Sequence, residues 1–293
     1  MKNFSEQRRG PESRRHPKEM LGAMLDNQSQ KTNEAVRNEH GLIDLLARDA
    51  TLNPKGYVEL YGDGAVQADK NFVRERELGF SSARNPKVQA FYRENYGAQT
   101  EDDIIAKWRE NKMREKNGQM EMAITVLLSQ KLGKDFLVVR TAPYDDYKNG
   151  VDNLILNRIT GEVVGAFDEV HEGGDGRRTE EKKEKIQKIA KQGGAKIRYG
   201  LRFADRKLLR ASLEGVPVFY LGLESGELVE LVQGLSENNS RITDKIFYKL
   251  LASLAAQHAE LEKSVSAPGL RARLASFGRS LSLLMNTEER LAA

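Results

Sequence analysis

The 293-residue chain contains no cysteine. Disulfides, zinc–thiolate sites and cysteine nucleophiles are therefore excluded, and a cytoplasmic setting fits such a chain. No apolar run approaches the roughly 18–20 residues that a membrane helix needs, so no membrane span is expected. No apolar stretch follows the basic residues at the N-terminus, so no secretory leader is expected. Internal repeats are absent. The glycine cluster at Gly173, Gly174 and Gly176 lacks the spacing of a phosphate-binding loop and has no Lys-Ser/Thr pair behind it, which argues against a nucleotide site.

What the chain does hold is a core's worth of apolar residues (39%) among many charges (31%). Its length suits one large domain or two small ones. The net charge of +4 is unevenly placed. Lys2, Arg8, Arg9, Arg14, Arg15 and Lys18 crowd the start of the chain against Glu6 and Glu12. A second concentration, Arg177 to Arg210, sets thirteen Lys or Arg against four acids. Such a stripe reads either as a solvated helix face or as a contact for a polyanion; its position beside an acidic hairpin favours the second.

Residues 1–40 are polar and poor in large apolar side chains, so they read as a basic, mostly disordered arm with a short helix starting near Lys18. Residues 41–117 read as helical, from GLIDLLARDA, KVQAFYREN and EDDIIAKWRENKMREK, whose apolar residues recur at three and four. YVELYGDGAV between them reads as a short strand or an irregular loop. Residues 118–235 change character. A helix over QMEMAITVLLSQKLG precedes the strands DFLVVRTA, VDNLILN and EVVGAFDEV. A helix over RRTEEKKEKIQKIAKQGG follows, with Thr179 as its N-cap and Gly193-Gly194 as its stop, and then the strands AKIRYGLRF and VPVFYLGL. The fold class expected is α/β (α+β), in the order α-β-β-β-α-β-β. Residues 236–293 read as a helical hairpin broken at Pro268-Gly269. Arg271, Arg273 and Arg279 on it suit an ordinary surface better than a nucleic-acid contact.

Chemistry concentrates in the hairpin GVDNLILNRITGEVVGAFDEVHE. Asp152 opens its first strand, Asp168 and Glu169 close its second, and His171 follows. Two parities are open. If Asn157 and Glu162 close a four-residue loop, Asp152 lies opposite Phe167, and Asp152, Glu169 and His171 share a face. If the turn has three residues and a bulge at Gly161, Asp152 lies opposite Asp168. Either way two carboxylates meet at one end of a sheet and repel unless they share a proton or a cation. Oxygen ligands without thiolates suit Mg²⁺ or Mn²⁺. Glu121, three residues before Ile124 and seven before Leu128, borders the apolar face of its helix and is a third acid within reach, or simply a first-turn acid facing the helix dipole. Asp145 and Asp146 either widen the site or form a turn before the strand. His16, His40 and His258 are isolated in sequence and read as surface or core residues.

An Asp-bearing apolar strand, a short turn, a second apolar strand with an acid two places before a key residue, a Gly/Arg loop and a basic helix: this succession resembles the PD-(D/E)XK nucleases. Within that superfamily it is most similar to Holliday junction resolvases and VRR-NUC domains. The resemblance covers roughly residues 119–223, and only the central 30 or so are specific. It implies a restriction-endonuclease-like mixed sheet flanked by helices. Asp152 and Glu169 would be metal ligands, Asp168 would replace Glu169 in the other parity, and Glu121 would be a further ligand. Mg²⁺ (or Mn²⁺) would be the cofactor and DNA, rather than RNA, the substrate. Arg177, Arg178, Lys183 and Lys185 would hold the backbone. His171 stands where the family has its lysine, and Lys182, Lys183 or Lys185 are the positions to which that role could have moved. A homodimer is an expectation by resemblance alone. The substituted lysine also keeps open a non-catalytic nucleic-acid-binding module, and a third reading is a structural or interaction protein.

Overall fold

A computed structural model describes residues 16–35, 37–38, 44–45, 54–133, 135–172, 177–204 and 207–291. In chain order the helices are α1 (Pro17–Ala35), α2 (Pro54–Tyr61), α3 (Asp63–Ser81), α4 (Pro86–Tyr96), α5 (Glu101–Arg114), α6 (Lys116–Leu132), α7 (Pro143–Asn149), α8 (Arg177–Lys191), α9 (Ser225–Ser236), α10 (Ser240–Ser264) and α11 (Pro268–Leu291). The strands are β1 (Arg37–Asn38), β2 (Phe136–Arg140), β3 (Asn153–Asn157), β4 (Val163–Glu172), β5 (Ala195–Ala204), β6 (Lys207–Val216) and β7 (Val218–Glu224). The α/β class holds: N-terminal helices, a mixed four-stranded sheet with an added hairpin, and C-terminal helices.

The four-stranded sheet runs β2-β3-β4-β7. β2, β3 and β4 pair antiparallel, and β4 pairs β7 in parallel, with Asp168 beside Tyr220 and Glu169 beside Leu221. Helices pack on it, so its strands are buried on both faces and read as continuous apolar runs rather than alternations. β2 is buried throughout, and β4 from Val163 to Val170. α6 is the central helix; Met120, Met122, Ile124, Val126 and Leu127 are almost wholly buried, which marks a helix covered on more than one side.

Local signals set the ends of the outer helices. Asn85 caps α4 through Lys87 N with Pro86 in the first turn, and Gly97 ends it in the left-handed region at φ 69°. Thr100 and Asp103 form a reciprocal capping box on α5.

Four expectations need correction. The short helix expected near Lys18 is present but longer, and it is not part of a disordered arm: residues 17–35 form α1, which lays Leu21 and Leu25 into the core against α6. A mainly polar helix of low intrinsic amphipathicity is stabilised here by tertiary burial of a few large side chains, which composition does not reveal. YVELYGDGAV is neither strand nor loop; it spans the end of α2 and the start of α3, with a break at Gly62, φ 80°. Tyr57 and Tyr61, spaced by four, face β5: their hydroxyls donate to Gly200 O at 2.7 Å and Arg198 O at 2.5 Å. The central order gains two elements, the short helix α7 between β2 and β3, and the strand β6. β6 pairs antiparallel with β5 to form a separate hairpin sheet, on whose edge β1 lies. Its sequence, KLLRASLEGV, is only half-buried and so lacks a strong apolar signal. Thr179 lies inside α8 rather than capping it. The stop of α8 falls as expected, with Gly193 and Gly194 both at positive φ. Most of GLIDLLARDA and the cluster at 173–176 lie outside the described residues. No helix among the described residues is long and apolar enough to cross a membrane.

Candidate carboxylate–lysine site

The hairpin parity combines features of both sequence readings. Asn157 N donates to Glu162 O at 2.9 Å, the four-residue closure, with Gly161 at φ 74°. A bulge follows: Leu156 pairs with Val163 but Ile155 pairs with Gly165, leaving Val164 extra. The bulge shifts the phase, so that Asn153 lies opposite Phe167 and the chain delivers Asp152 beside Asp168. Asp152 N donates to Phe167 O at 2.8 Å, and Asp152 Oδ2 accepts from Glu169 N at 3.1 Å.

Consecutive strand residues point to opposite faces, and this divides the acids. Asp168 turns toward α8, where Lys182 Nζ donates to both of its carboxylate oxygens. Lys185 adds a second positive charge there: Gly150 lies so close to Lys185 Nζ that a Cβ would overlap it, and that Cβ would stand 3.3 Å from Asp168 Oδ2. Glu169 turns toward α6. Its Oε1 accepts from Asn153 Nδ2 at 2.7 Å, Asn153 Nδ2 also reaches Thr125 Oγ1 at 3.1 Å, and Glu169 Oε2 is buried with no hydrogen-bond partner among the described residues. Asp152 sits between the two halves, and its charge acts on both neighbours.

Burial, reinforced by the Asp152 charge, raises the Asp168 carboxyl to about 7 in spite of Lys182. Burial, again reinforced by Asp152, raises Glu169 well above the usual carboxylate range. Burial disfavours the Lys182 ammonium, but the Asp168 carboxylate outweighs it and the lysine is held charged, with Asp146 contributing. The cluster therefore carries more acid than its cations offset.

The remaining expected residues fall as follows. Glu121 comes near Glu169, on which its charge acts, but its Oε2 is engaged by the buried Arg140 at 3.1 Å. His171 leaves the acids: its Nε2 lies 2.9 Å from Ser225 Oγ at the start of α9. Lys183 points away from Asp168 and pairs with Glu180 at 2.7 Å. Arg177 and Arg178 begin α8. Asp145 does not join the acids; it accepts from Arg198 N at 2.9 Å and Tyr199 N at 2.8 Å, tying α7 to β5, and burial raises it to about 6. His258 Nε2 lies 2.9 Å from Leu274 O, a packing role. Arg140, Asn153 and Thr125 were not anticipated. An arginine ending the apolar strand FLVVR, and an asparagine inside LILN's strand, are the signals that could have found them, because buried polar side chains need partners.

The acids do not form one many-liganded metal site: among the described residues no three His, Asp or Glu side chains are arranged to hold an ion. Mg²⁺ asks for less, since one or two carboxylates suffice when water and substrate oxygens complete the shell. Asp152 and Glu169, with the unpartnered Oε2, meet that requirement; adding Asp168 and Glu121 to the same ion does not, because they are committed to Lys182 and Arg140.

No protein-family model matches the chain, and neither a curated protein nor a solved structure does.

Proposed function

We propose that this chain is a divalent-metal-dependent nuclease that hydrolyses DNA phosphodiester bonds. One observation carries the reading: three buried carboxylates from two adjacent strands meet with an excess of negative charge, directly beside a lysine-bearing helix. Such a group is suited to a cation and a phosphate. Its place at the β3–β4 hairpin, between α6 and α8, supports the reading drawn from the resemblance to PD-(D/E)XK nucleases.

Asp152 and Glu169 would hold the ion, which when bound supplies an acidified water and neutralises charge at the phosphate. Lys182 offers a cation on the α8 side of Asp152, where Asp168 positions it. Lys185, held under Gly150, adds positive charge on the solvent side of the cluster for a phosphate oxygen. Asn153 and Thr125 fix the Glu169 carboxyl from behind. Substrate-shape discrimination would fall to the helices that surround the sheet.

The Lys182–Asp168 ion pair favours a second reading, a nucleic-acid-binding module without catalysis, since a lysine already offsets one acid without a metal. Incubating the protein with branched, single-stranded and duplex DNA, with Mg²⁺ or Mn²⁺ and with chelator, separates the two. Metal-dependent cleavage lost in Asp152→Ala and Glu169→Ala supports the nuclease. Salt-sensitive binding with no cleavage supports the module, and cleavage that survives both substitutions refutes the assigned site.

A further inference from the structure

α3 carries Phe72, Arg76 and Phe80 at spacings of four, which places them in one row. The row is flanked by two other elements. α7 sets the Tyr144 ring 5.4 Å from Phe72 and the Tyr147 ring 5.5 Å from Phe80, both edge-on. α5 stacks Trp108 on Phe80, with ring centroids 6.1 Å apart and planes 23° from parallel. Phe80 is 55% exposed, a large apolar ring left open to solvent at the centre of this group.

Cations line the same row. Arg76 lies 5.6 Å and Lys148 Nζ 5.5 Å from the centre of Phe72, and Lys112 Nζ lies 5.9 Å from that of Trp108. Among the described residues, none of these three cations has a carboxylate partner, whereas Arg74, Arg84 and Arg109 nearby are all paired with acids. An exposed ring backed by partly buried ones, with cations that lack carboxylate partners beside it, is chemistry that suits an unpaired nucleic-acid strand: a base stacks on Phe80 and phosphates meet the cations. A protein partner would be met better by an apolar patch without three uncompensated charges, and a duplex hides its base faces.

α7 joins this row to the carboxylates. Asp146 acts on Lys182 while its neighbour Tyr147 meets Phe80, and Gly150, which ends the helix, lies against Lys185. Tyr147 is held in place because its hydroxyl donates to the buried Glu77 at 3.1 Å, and Glu77 is bridged by Arg109. Resting on the DNA-hydrolysing reading above, we propose that the aromatic–cationic row of α3, α5 and α7 is the track for an unpaired DNA strand, leading toward the Asp152–Asp168–Lys182 cluster.

Trp108 is the single tryptophan, so its emission reports on this surface. The full chain is titrated in chelator, which prevents cleavage, with an oligothymidine of roughly 20 nucleotides and with a duplex of equal length, long enough to span such a track. Oligothymidine is expected to quench Trp108, and Phe80→Ala to weaken its binding by about tenfold or more, as expected for a lost stacking platform. Phe80→Tyr retains the affinity. Arg76→Gln with Lys148→Gln flattens the dependence of log affinity on log salt by roughly 1.4, the expectation for two phosphate contacts on a single strand. Circular dichroism of each variant is expected to match that of wild type, since the substituted side chains are exposed. Unchanged oligothymidine binding in both variants overturns the proposal, as does a duplex affinity that falls equally, or tighter binding of oligouridine. If these results hold but wild type cleaves no DNA with any metal, the track stands and the nuclease reading falls.

Discussion

The excess of acid at the hairpin has a stability consequence that can be measured without any substrate. Asp168 sits at about 7 in the folded chain, against an ordinary value of 3.8. Its carboxyl prefers the proton when folded, so the folded state binds more protons than the unfolded state between those two values. Stability must therefore fall as pH rises through that window. The full displacement corresponds to about 4 kcal/mol. Between about pH 5 and pH 8, Asp168 alone should remove about 2–3 kcal/mol of unfolding free energy. Asp145, raised to about 6, titrates in the same window and should remove roughly 1 kcal/mol more. Glu169 acts in the same direction.

Asp168→Asn isolates one of these contributions. The amide keeps the volume and carries no charge, and Lys182, partly exposed, can reach water. Urea unfolding at constant ionic strength, at several pH values from about 5 to 8, gives the test. Wild type should lose stability toward pH 8, and Asp168→Asn should show a slope shallower by about 2 kcal/mol over the window while Asp145 continues to titrate. A wild type more stable at pH 8 than at pH 5, or an unchanged slope in the variant, would refute the idea that the cluster is short of positive charge. Carboxyls with lowered affinity for protons, such as Asp103 and Glu227, lose theirs below the window and do not confuse it.

Three further outcomes follow from packing. Leu25→Ala should cost about 2–5 kcal/mol in chemical denaturation, because a fully buried leucine on α1 leaves a cavity against α6; a loss below about 0.5 kcal/mol would return α1 to the status of a loose arm. Arg140→Met should cost on the order of 3 kcal/mol, since Glu121 then lies beside Glu169 without its partner; the loss should shrink in Glu121→Gln/Arg140→Met, and an additive double mutant would count against the pair. Gly150→Ala should cost about 1–2 kcal/mol because Gly150 has φ 65°. It should also dislodge Lys185, so that a Lys185→Gln change made on top of it has little further effect on DNA binding.

Much of the architecture was legible because periodicity reports burial. α6 and the two long C-terminal helices declare themselves by apolar spacing, β2, β3, β4 and β7 by short apolar runs, and Gly193-Gly194 after α8 and Pro268 mark real ends. What was not legible depends on partners distant in sequence. α1 extends well beyond the short helix expected near Lys18 and is buried because Leu21 and Leu25 find α6, and β6 exists because it pairs with β5, though neither sequence is strongly patterned alone. Tyr57 and Tyr61 lie on a helix because their rings and hydroxyls meet β5 across more than 130 residues.

The site shows the same division in finer detail. That Asp152 would meet one carboxylate of the next strand, Asp168 or Glu169, was readable from the hairpin, whereas the distribution of the two was not, because a single extra residue at Val164 decides which acid faces which helix. With Glu169 toward α6, its face continues through His171, and that histidine reaches Ser225 instead of the acids. With Asp168 toward α8, the cation at the cluster comes from the helix. Helical spacing then selects among the lysines. Lys182 and Lys185 are three apart and share the face turned to Asp168, while Lys183 is rotated by about 100° from Lys182 and pairs with Glu180. The histidine that looked like a defect in the strand is therefore compatible with the nuclease reading, provided that the charge it fails to supply is supplied by Lys182. Lys182→Gln should then abolish metal-dependent cleavage while His171→Gln leaves it largely intact. The reverse result would move the chemistry back to the strand and to the Glu169 face.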